Sequence, residues 1–329
     1  MIAVALIILQ NDGGKNDGKG LAMRLRRRSG TKELLHSLED RVILQPKQLR
    51  GRWREVFGND RPIHAELGMG KGRFISRMSL LYPDINFIGI DMYDELIRKA
   101  SEKAEEARKE YAAAGNAVTN NLRLVLGNIE GIEEMFAPGE LERIYLNFSD
   151  PWPKTRHANR RLTHPGFLAK YRNVLNEDGE IHLKTDSRSL FEFSLNSFSE
   201  MEMMLRNISL DLHGSGVAPN MVMTEYEMKF HNQGVNIHRC EAIVGERAID
   251  RRKAELRELR ERREKRAAEA AGGPASVAVP ESKLVPTSAS VSGDTEFAAE
   301  LAPGSKQASR DAGRRRAKSV IRVDGAPRN

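Results

Sequence analysis

The chain is predicted to fold as an α/β protein with a mostly parallel twisted sheet, helices on both faces and a closing antiparallel strand. Three observations carry this. Short apolar strands and helical stretches alternate from about residue 62 to 200. A glycine-rich turn, Gly68-Met69-Gly70-Lys71-Gly72, joins the first strand to its helix. An acid, Asp91, ends the next strand. Strands separated by helices pair in parallel through right-handed crossovers.

Each element has its own signal. Ile63 to Leu67 is an apolar strand, and the helix after the glycine turn stops before Pro83. Asn86 to Ile90 is the second strand. Tyr93 to Ala114 is a long Glu/Lys/Ala-rich helix, stopped by Gly115. Leu122 to Leu126 and Arg143 to Phe148 are the third and fourth strands. Pro165 to Leu175 is helical, and Gly179 resets the chain before a strand over Glu180 to Lys184. Residues 206–213 and 237–244 read as the strands that close the sheet. Glu180, Lys170 and the charges of the long helix read as solvated faces.

Composition sets the outer limits. The chain has 329 residues and 40 % hydrophobic content, enough for one large domain or two small ones. One cysteine excludes an internal disulfide framework and fits a reducing, cytoplasmic setting. No apolar run reaches membrane-spanning length. Ile2 to Leu9 is apolar but lacks a preceding basic segment, so residues 1–22 read as a non-functional extension and Met23 as a natural start. The net charge of +7 is unevenly placed: residues 248–329 hold 18 basic and 12 acidic side chains, the remaining 247 hold 35 and 34. Residues 23–247 therefore form a nearly neutral domain. Asp250 to Ala271 is a solvated Arg/Glu helix, and the chain beyond Gly272 is a disordered basic tail. Within the domain, basic residues cluster at Arg24 with Arg26 to Arg28, and from Lys154 to Arg161. Such a run is either a solvated face or a phosphate-binding surface.

The most informative stretch is Tyr145-Leu146-Asn147-Phe148-Ser149-Asp150-Pro151-Trp152-Pro153-Lys154. A strand stops at an acid, turns through Pro-Trp-Pro and opens into Lys154, Arg156, His157, Arg160 and Arg161. One carboxylate beside a polyanion-binding surface suits chemistry on a nucleic acid. The glycine turn is weaker evidence. Asp91 lies 23 residues after Gly68, where an acid of a doubly wound fold accepts hydrogen bonds from ribose hydroxyls. A dinucleotide site or a purely structural turn has similar features. Glycines at alternate positions do not form the G-x-G-x-x-G cradle of a pyrophosphate, and Glu66 would repel a phosphate. Glu66 suits a ligand with a positive charge.

Five blocks together resemble the bacterial tRNA (guanine-N7)-methyltransferases. These are Glu66-Leu67-Gly68-x-Gly70-Lys71-Gly72, the Asn147 to Lys154 segment, Arg156-His157 with Arg160-Arg161-Leu162, Lys184-Thr185-Asp186, and Thr224-Glu225-Tyr226-Glu227. The resemblance spans about Met23 to Ile243. It implies a Rossmann-like class I methyltransferase fold, S-adenosylmethionine as methyl donor, and a guanine of the tRNA variable loop as acceptor. The donor has a ribose, an ammonium and a sulfonium, and no phosphate. The resemblance places donor contacts on Glu66, Asp91, Asn128 and Asp150, and Gly68, Gly70 and Gly72 let the backbone turn tightly and approach the ligand closely. It places substrate contacts on Lys154, Asp186 and the Thr224–Glu227 segment. Many family members have Asp where this chain has Asn128, which keeps a hydrogen-bonding amide and loses the charge.

Guanine N7 has a lone pair and no proton, so its methylation needs alignment and not a general base. Asp150 is the candidate to stabilise the positive charge that develops on the purine; its bland role is to cap the following turn. Asp186 and Glu227 are candidate acceptors for guanine's donors. Asp186 could instead cap the next helix, and Glu227 taken alone is an ordinary surface acid. Lys154, Arg156, Arg160 and Arg161 are expected on phosphates, where contacts position RNA without reading it. Trp152 either stacks on a base or wedges the turn. No metal or membrane partner is expected, and the oligomeric state is a monomer or homodimer. Two other readings remain: a methyltransferase acting on an exocyclic amine, and a non-catalytic RNA-binding scaffold.

Overall fold

The computed structural model describes residues 35–271 except 39, 219 and 220. The basic cluster at Arg24 to Arg28, the extension over residues 1–22 and the tail beyond residue 271 lie outside the described residues. Eight strands form one sheet: β1 (Val42–Ile43), β2 (Ile63–Leu67), β3 (Asn86–Asp91), β4 (Leu122–Leu126), β5 (Leu141–Asn147), β6 (Leu175–Thr185), β7 (Met204–Ser209) and β8 (His238–Ile243). Their order is β1-β4-β3-β2-β5-β6-β8-β7. The pairings from β1 through β6 are parallel, and β8 pairs antiparallel with both β6 and β7. The strand order reverses at β2, so the carboxyl ends of β2 and β5 flank the switch point where open α/β sheets bind ligands.

The helices are α1 (Trp53–Phe57), α2 (Arg73–Leu81), α3 (Asp94–Ala113), α4 (Ile132–Met135), α5 (Pro165–Val174), α6 (Arg188–Glu200), α7 (Glu225–Asn232) and α8 (Glu246–Ala271). Side chains alternate across each strand. Phe87, Leu122 and Leu124 pack with Phe74, Ile75 and Ile97 of α2 and α3 on one face. Ile88, Ile90, Val125 and Ile144 pack with Trp53, Phe136, Leu168 and Phe191 on the other. Trp53 is fully buried, and its indole N–H donates to the Met135 carbonyl at 2.9 Å.

Several elements differ from expectation. β1, α1 and α4 are too short for periodicity to reveal. β6 starts five residues before Glu180, because α5 runs directly into it at Leu175. Glu180 is not on a solvated face: it is 2 % exposed, on β6. Burial would raise its carboxyl, but His182, Arg143 and Arg206 outweigh that and hold it at about 2. The same arginine-rich network takes up Glu241, to which Arg206 and Arg239 both donate. α8 is largely exposed beyond Ala248, and Arg247 and Arg251 tie its first turns to Asp178.

Gly72 opens α2 with a positive φ of 75°, and a Cβ there would lie 2.6 Å from the Ala100 Cβ of α3. Gly72→Ala adds overpacking to left-handed strain and should cost about 2–3 kcal/mol of stability. A urea unfolding midpoint close to wild type would contradict this packing.

Candidate functional site

The carboxyl ends of β2, β3, β4 and β5 lie side by side, and Glu66, the glycine turn, Asp91, Asn128 and Asp150 sit at or just after them. Gly68 and Gly70 have φ of 76° and 58° with open space where a Cβ would be, so only backbone lines that side of the turn. The Gly70 N–H donates to Asp91 Oδ2 at 3.1 Å, and the Tyr93 N–H donates to Asp91 Oδ1 at 3.1 Å. Burial pushes the Asp91 carboxyl above the ordinary range despite those bonds. The Asp91 carbonyl accepts from the Gly127 N–H at 3.0 Å, which brings Asn128 alongside. Asn128 Oδ1 caps a short 3₁₀ turn by accepting from Glu130 N–H at 3.0 Å. Asn128 also lines a cavity of about 670 Å³ with Gln45, Pro46, Leu126 and Met135. Gly72 lines the glycine-turn cleft with Gly68 and Gly70, but what requires glycine there is helix packing.

Glu66 is 2 % exposed at the end of β2. Asn147 Nδ2, at the end of β5, donates to Glu66 Oε1 at 2.9 Å. Glu66 Oε2 is buried and has no partner. Burial pushes the carboxyl up to about 8, against the pull of Asn147 and Lys184. A buried carboxyl with one oxygen lacking a hydrogen-bond partner, beside a cleft of about 60 Å³ at the glycine turn, is favoured in its ionised form by a nearby cation. These features fit the ammonium end of S-adenosylmethionine, with Asp91 placed for the ribose.

The loop after β5 is strained. Phe148 and Trp152 have φ of 53° and 40°, a conformation that costs non-glycine residues about 1–2 kcal/mol each. They flank Asp150, which is exposed and makes no side-chain hydrogen bond among the described residues, so it caps nothing. Its charge acts on Asp91. The Ser149 hydroxyl is buried without a partner. Strain held at a few residues of a surface loop marks a site where geometry matters more than stability. Trp152 wedges the turn: its ring meets His157 edge-on at 5.9 Å and carries the Arg160 guanidinium at 4.9 Å.

The predicted substrate residues divide. Lys154, Arg156 and Arg160 are exposed along a 3₁₀ turn, Thr155–Arg160, and can reach phosphates. Arg161 is not free: it donates to the Pro151 and Trp152 carbonyls at 3.1 and 3.0 Å. Asp186 is half-buried and does not cap α6, since Ser187 does. It keeps its acceptors.

Thr224 and Glu227 need correction. They form a reciprocal capping box that starts α7. Glu227 is fully buried; Lys184 Nζ lies 3.1 Å from both its oxygens, and His213 Nε2 lies 3.0 Å from Oε1. It is neither a surface acid nor available to a base in this form. In the sequence Lys184 and Glu225 stand out only as members of the resemblance blocks, and nothing marks Lys184 as the partner of Glu227, Glu225 as an anchor or His213 as a contact. Burial lowers the Lys184 ammonium against the pull of Glu227. Glu225 pairs with Lys71 at 3.5 Å and with Lys103, roofing the glycine turn with the end of α7. Burial raises the Glu225 carboxyl, but the two lysines outweigh it and hold it below the ordinary range. A Thr-x-x-Glu spacing is the signal that would have revealed the cap.

Glu227→Ala leaves the half-buried Lys184 without its carboxylate partner and should cost about 3 kcal/mol. Chemical denaturation checks this: an unchanged midpoint with weakened RNA binding would instead return Glu227 to the RNA surface.

Comparison with known proteins identifies the family. Residues 60–240 match a family model described as "Putative methyltransferase". A tRNA (guanine-N(7)-)-methyltransferase of Geobacillus kaustophilus is 49 % identical over 221 residues, covering 67 % of this chain and 97 % of that protein. Proteins of the same name from Streptococcus mutans and Listeria monocytogenes are each 49 % identical over 220 residues, covering 67 % of this chain and 99 % and 98 % of theirs. With about half of the aligned residues identical across nearly the whole length of these relatives, the chain belongs to the tRNA (guanine-N7)-methyltransferase family.

Proposed function

We propose that this protein transfers the methyl group of S-adenosylmethionine to N7 of a guanine in the variable loop of tRNA. One observation carries the reading: Asn147 joins a buried carboxylate with a free oxygen to the loop that presents Asp150 beside an exposed basic run. S-adenosylmethionine, when bound, supplies an electrophilic methyl group on a sulfonium. Glu66 would take the ammonium, and Asp91 the ribose hydroxyls with the lone pairs its backbone partners leave free. The Asn128 amide, whose oxygen is used in its cap, would turn its N–H groups to the adenine. The glycine-turn cleft is far below the roughly 300–1,000 Å³ of ordinary ligand pockets. Glu225 and Tyr226 roof this cleft.

The protein's part in the transfer is alignment and charge. Guanine N7 attacks with its own lone pair, so no side chain needs to remove a proton. The purine becomes cationic, and a fixed carboxylate at Asp150 stabilises that charge as it forms. Asp186 would accept from the guanine's N–H donors. Lys154, Arg156 and Arg160 would hold the phosphate backbone. The N7 edge lies in the deep groove of A-form RNA, so the substrate must be a loop or a loosened pair. A lone buried thiol, Cys240, pushed up to about 12 by burial, is consistent with work in a reducing cytoplasm.

Unmodified tRNA incubated with labelled donor should acquire one alkali-labile site, in the variable loop. Label on an exocyclic amine, or none, would overturn the assignment. Asp150→Ala should slow single-turnover transfer by about 10²–10³-fold while tRNA affinity stays within about twofold. Transfer at the wild-type rate would remove Asp150 from the chemistry.

A further inference from the structure

We infer that Arg161 is a positioning residue: it braces the loop that aims Asp150, and is not a phosphate contact. The inference rests on the methyl-transfer reading above but on different atoms. Arg161 Nε donates to the Pro151 carbonyl at 3.1 Å and Nη2 donates to the Trp152 carbonyl at 3.0 Å. The guanidinium also lies over the Phe193 ring of α6, 4.3 Å from its centroid. A planar fork thus sits over an aromatic ring while two of its N–H groups point at consecutive carbonyls.

The loop needs such a brace. Pro151 and Pro153 bring no backbone N–H, so the turn has few donors of its own. Phe148 and Trp152 sit in left-handed backbone conformations that their side chains disfavour. The near end of the loop is fixed by the Phe148 N–H, which donates to the Lys184 carbonyl of β6 at 2.8 Å. The far end is fixed by Arg161. Asp150 lies between these two pins, so its direction is set by them.

Neighbouring Arg160 differs in kind. It is exposed and touches Trp152 only through the ring face. Two adjacent arginines therefore have separate tasks, one turned to solvent and one to the protein backbone. Lysine distinguishes them. It keeps the charge that a phosphate needs but has no planar fork to bridge two carbonyls while stacking on a ring.

The experiment compares Arg161→Lys and Arg161→Ala with Arg160→Ala in the full-length chain. Arg161→Lys should lower single-turnover N7-guanine transfer at saturating tRNA and donor by about tenfold or more, as small misalignments do. Its tRNA Kd should stay within about twofold, and the salt slope of Arg161→Ala should be unchanged, whereas Arg160→Ala should reduce the slope by about one. Acrylamide quenching gives a second readout, because Trp53 is fully buried and Trp152 is the other tryptophan of the chain. Quenching should rise in Arg161→Lys. If that variant does not fold, Phe193→Leu, which removes the platform and leaves both hydrogen-bond donors, should shift rate and quenching in the same direction to a smaller extent. Wild-type rate and quenching in the variant that folds, or a salt slope reduced by about one in Arg161→Ala, would overturn the brace. A wild-type protein that forms no N7-methylguanine would overturn the functional reading alone, and the quenching comparison would still decide Arg161.

Discussion

One hydrogen bond organises this molecule, from Asn147 Nδ2 to Glu66 Oε1 at 2.9 Å. It joins the carboxyl ends of β2 and β5, the two strands on either side of the point where strand order reverses. On the β2 side it leads to the glycine turn. On the β5 side it leads, one residue later, into the strained loop that presents Asp150. The bond uses one oxygen of a carboxyl that cannot reach water and leaves the other unpartnered. A buried polar atom without a partner is costly, and it persists where a ligand completes it.

The charges around this bond belong to fold and site together. Lys184 lies where it acts on Glu66 and is held by Glu227, which in turn caps α7 and meets His213. Glu225, two residues earlier, ties the same helix end to Lys71 beside the glycine turn. The α7 terminus is therefore anchored inward by a buried ion pair and outward by a half-buried one. The outward contacts are the weaker of the two in water.

Much of the fold was legible because parallel strands here are short apolar runs bounded by glycine, proline or an acid. β2, β3 and β4 fall within a residue of where the hydrophobic pattern put them. The pattern failed where tertiary contacts replace periodicity: the two-residue β1, the short α1 and α4, and the start of β6. In the site, the residues with an unusual local setting, Glu66, Asp91 and Asp150, could be singled out from the chain alone. Glu227 and Arg161 could not. A charged side chain looks the same in sequence whether it faces solvent, an ion-pair partner or two backbone carbonyls, and only the fold distinguishes these. Glu180 was misread for the same reason, since its arginine partners come from β5 and β7.

The central claim concerns the Glu66 carboxyl. Burial raises it to about 8, so it is neutral at low pH; the stability that this neutral form contributes is complete below the ordinary carboxylate range and is lost as pH rises through 8. A cation bound at the free oxygen favours the ionised form and must bring the midpoint down. A carbon-13 titration of this carboxyl, with Glu66→Gln to assign the resonance, measures the effect directly. The account predicts a midpoint near 8 in the free protein that moves toward the ordinary range when S-adenosylmethionine is saturating. An ordinary midpoint in the free protein, or one that the donor does not move, would contradict it.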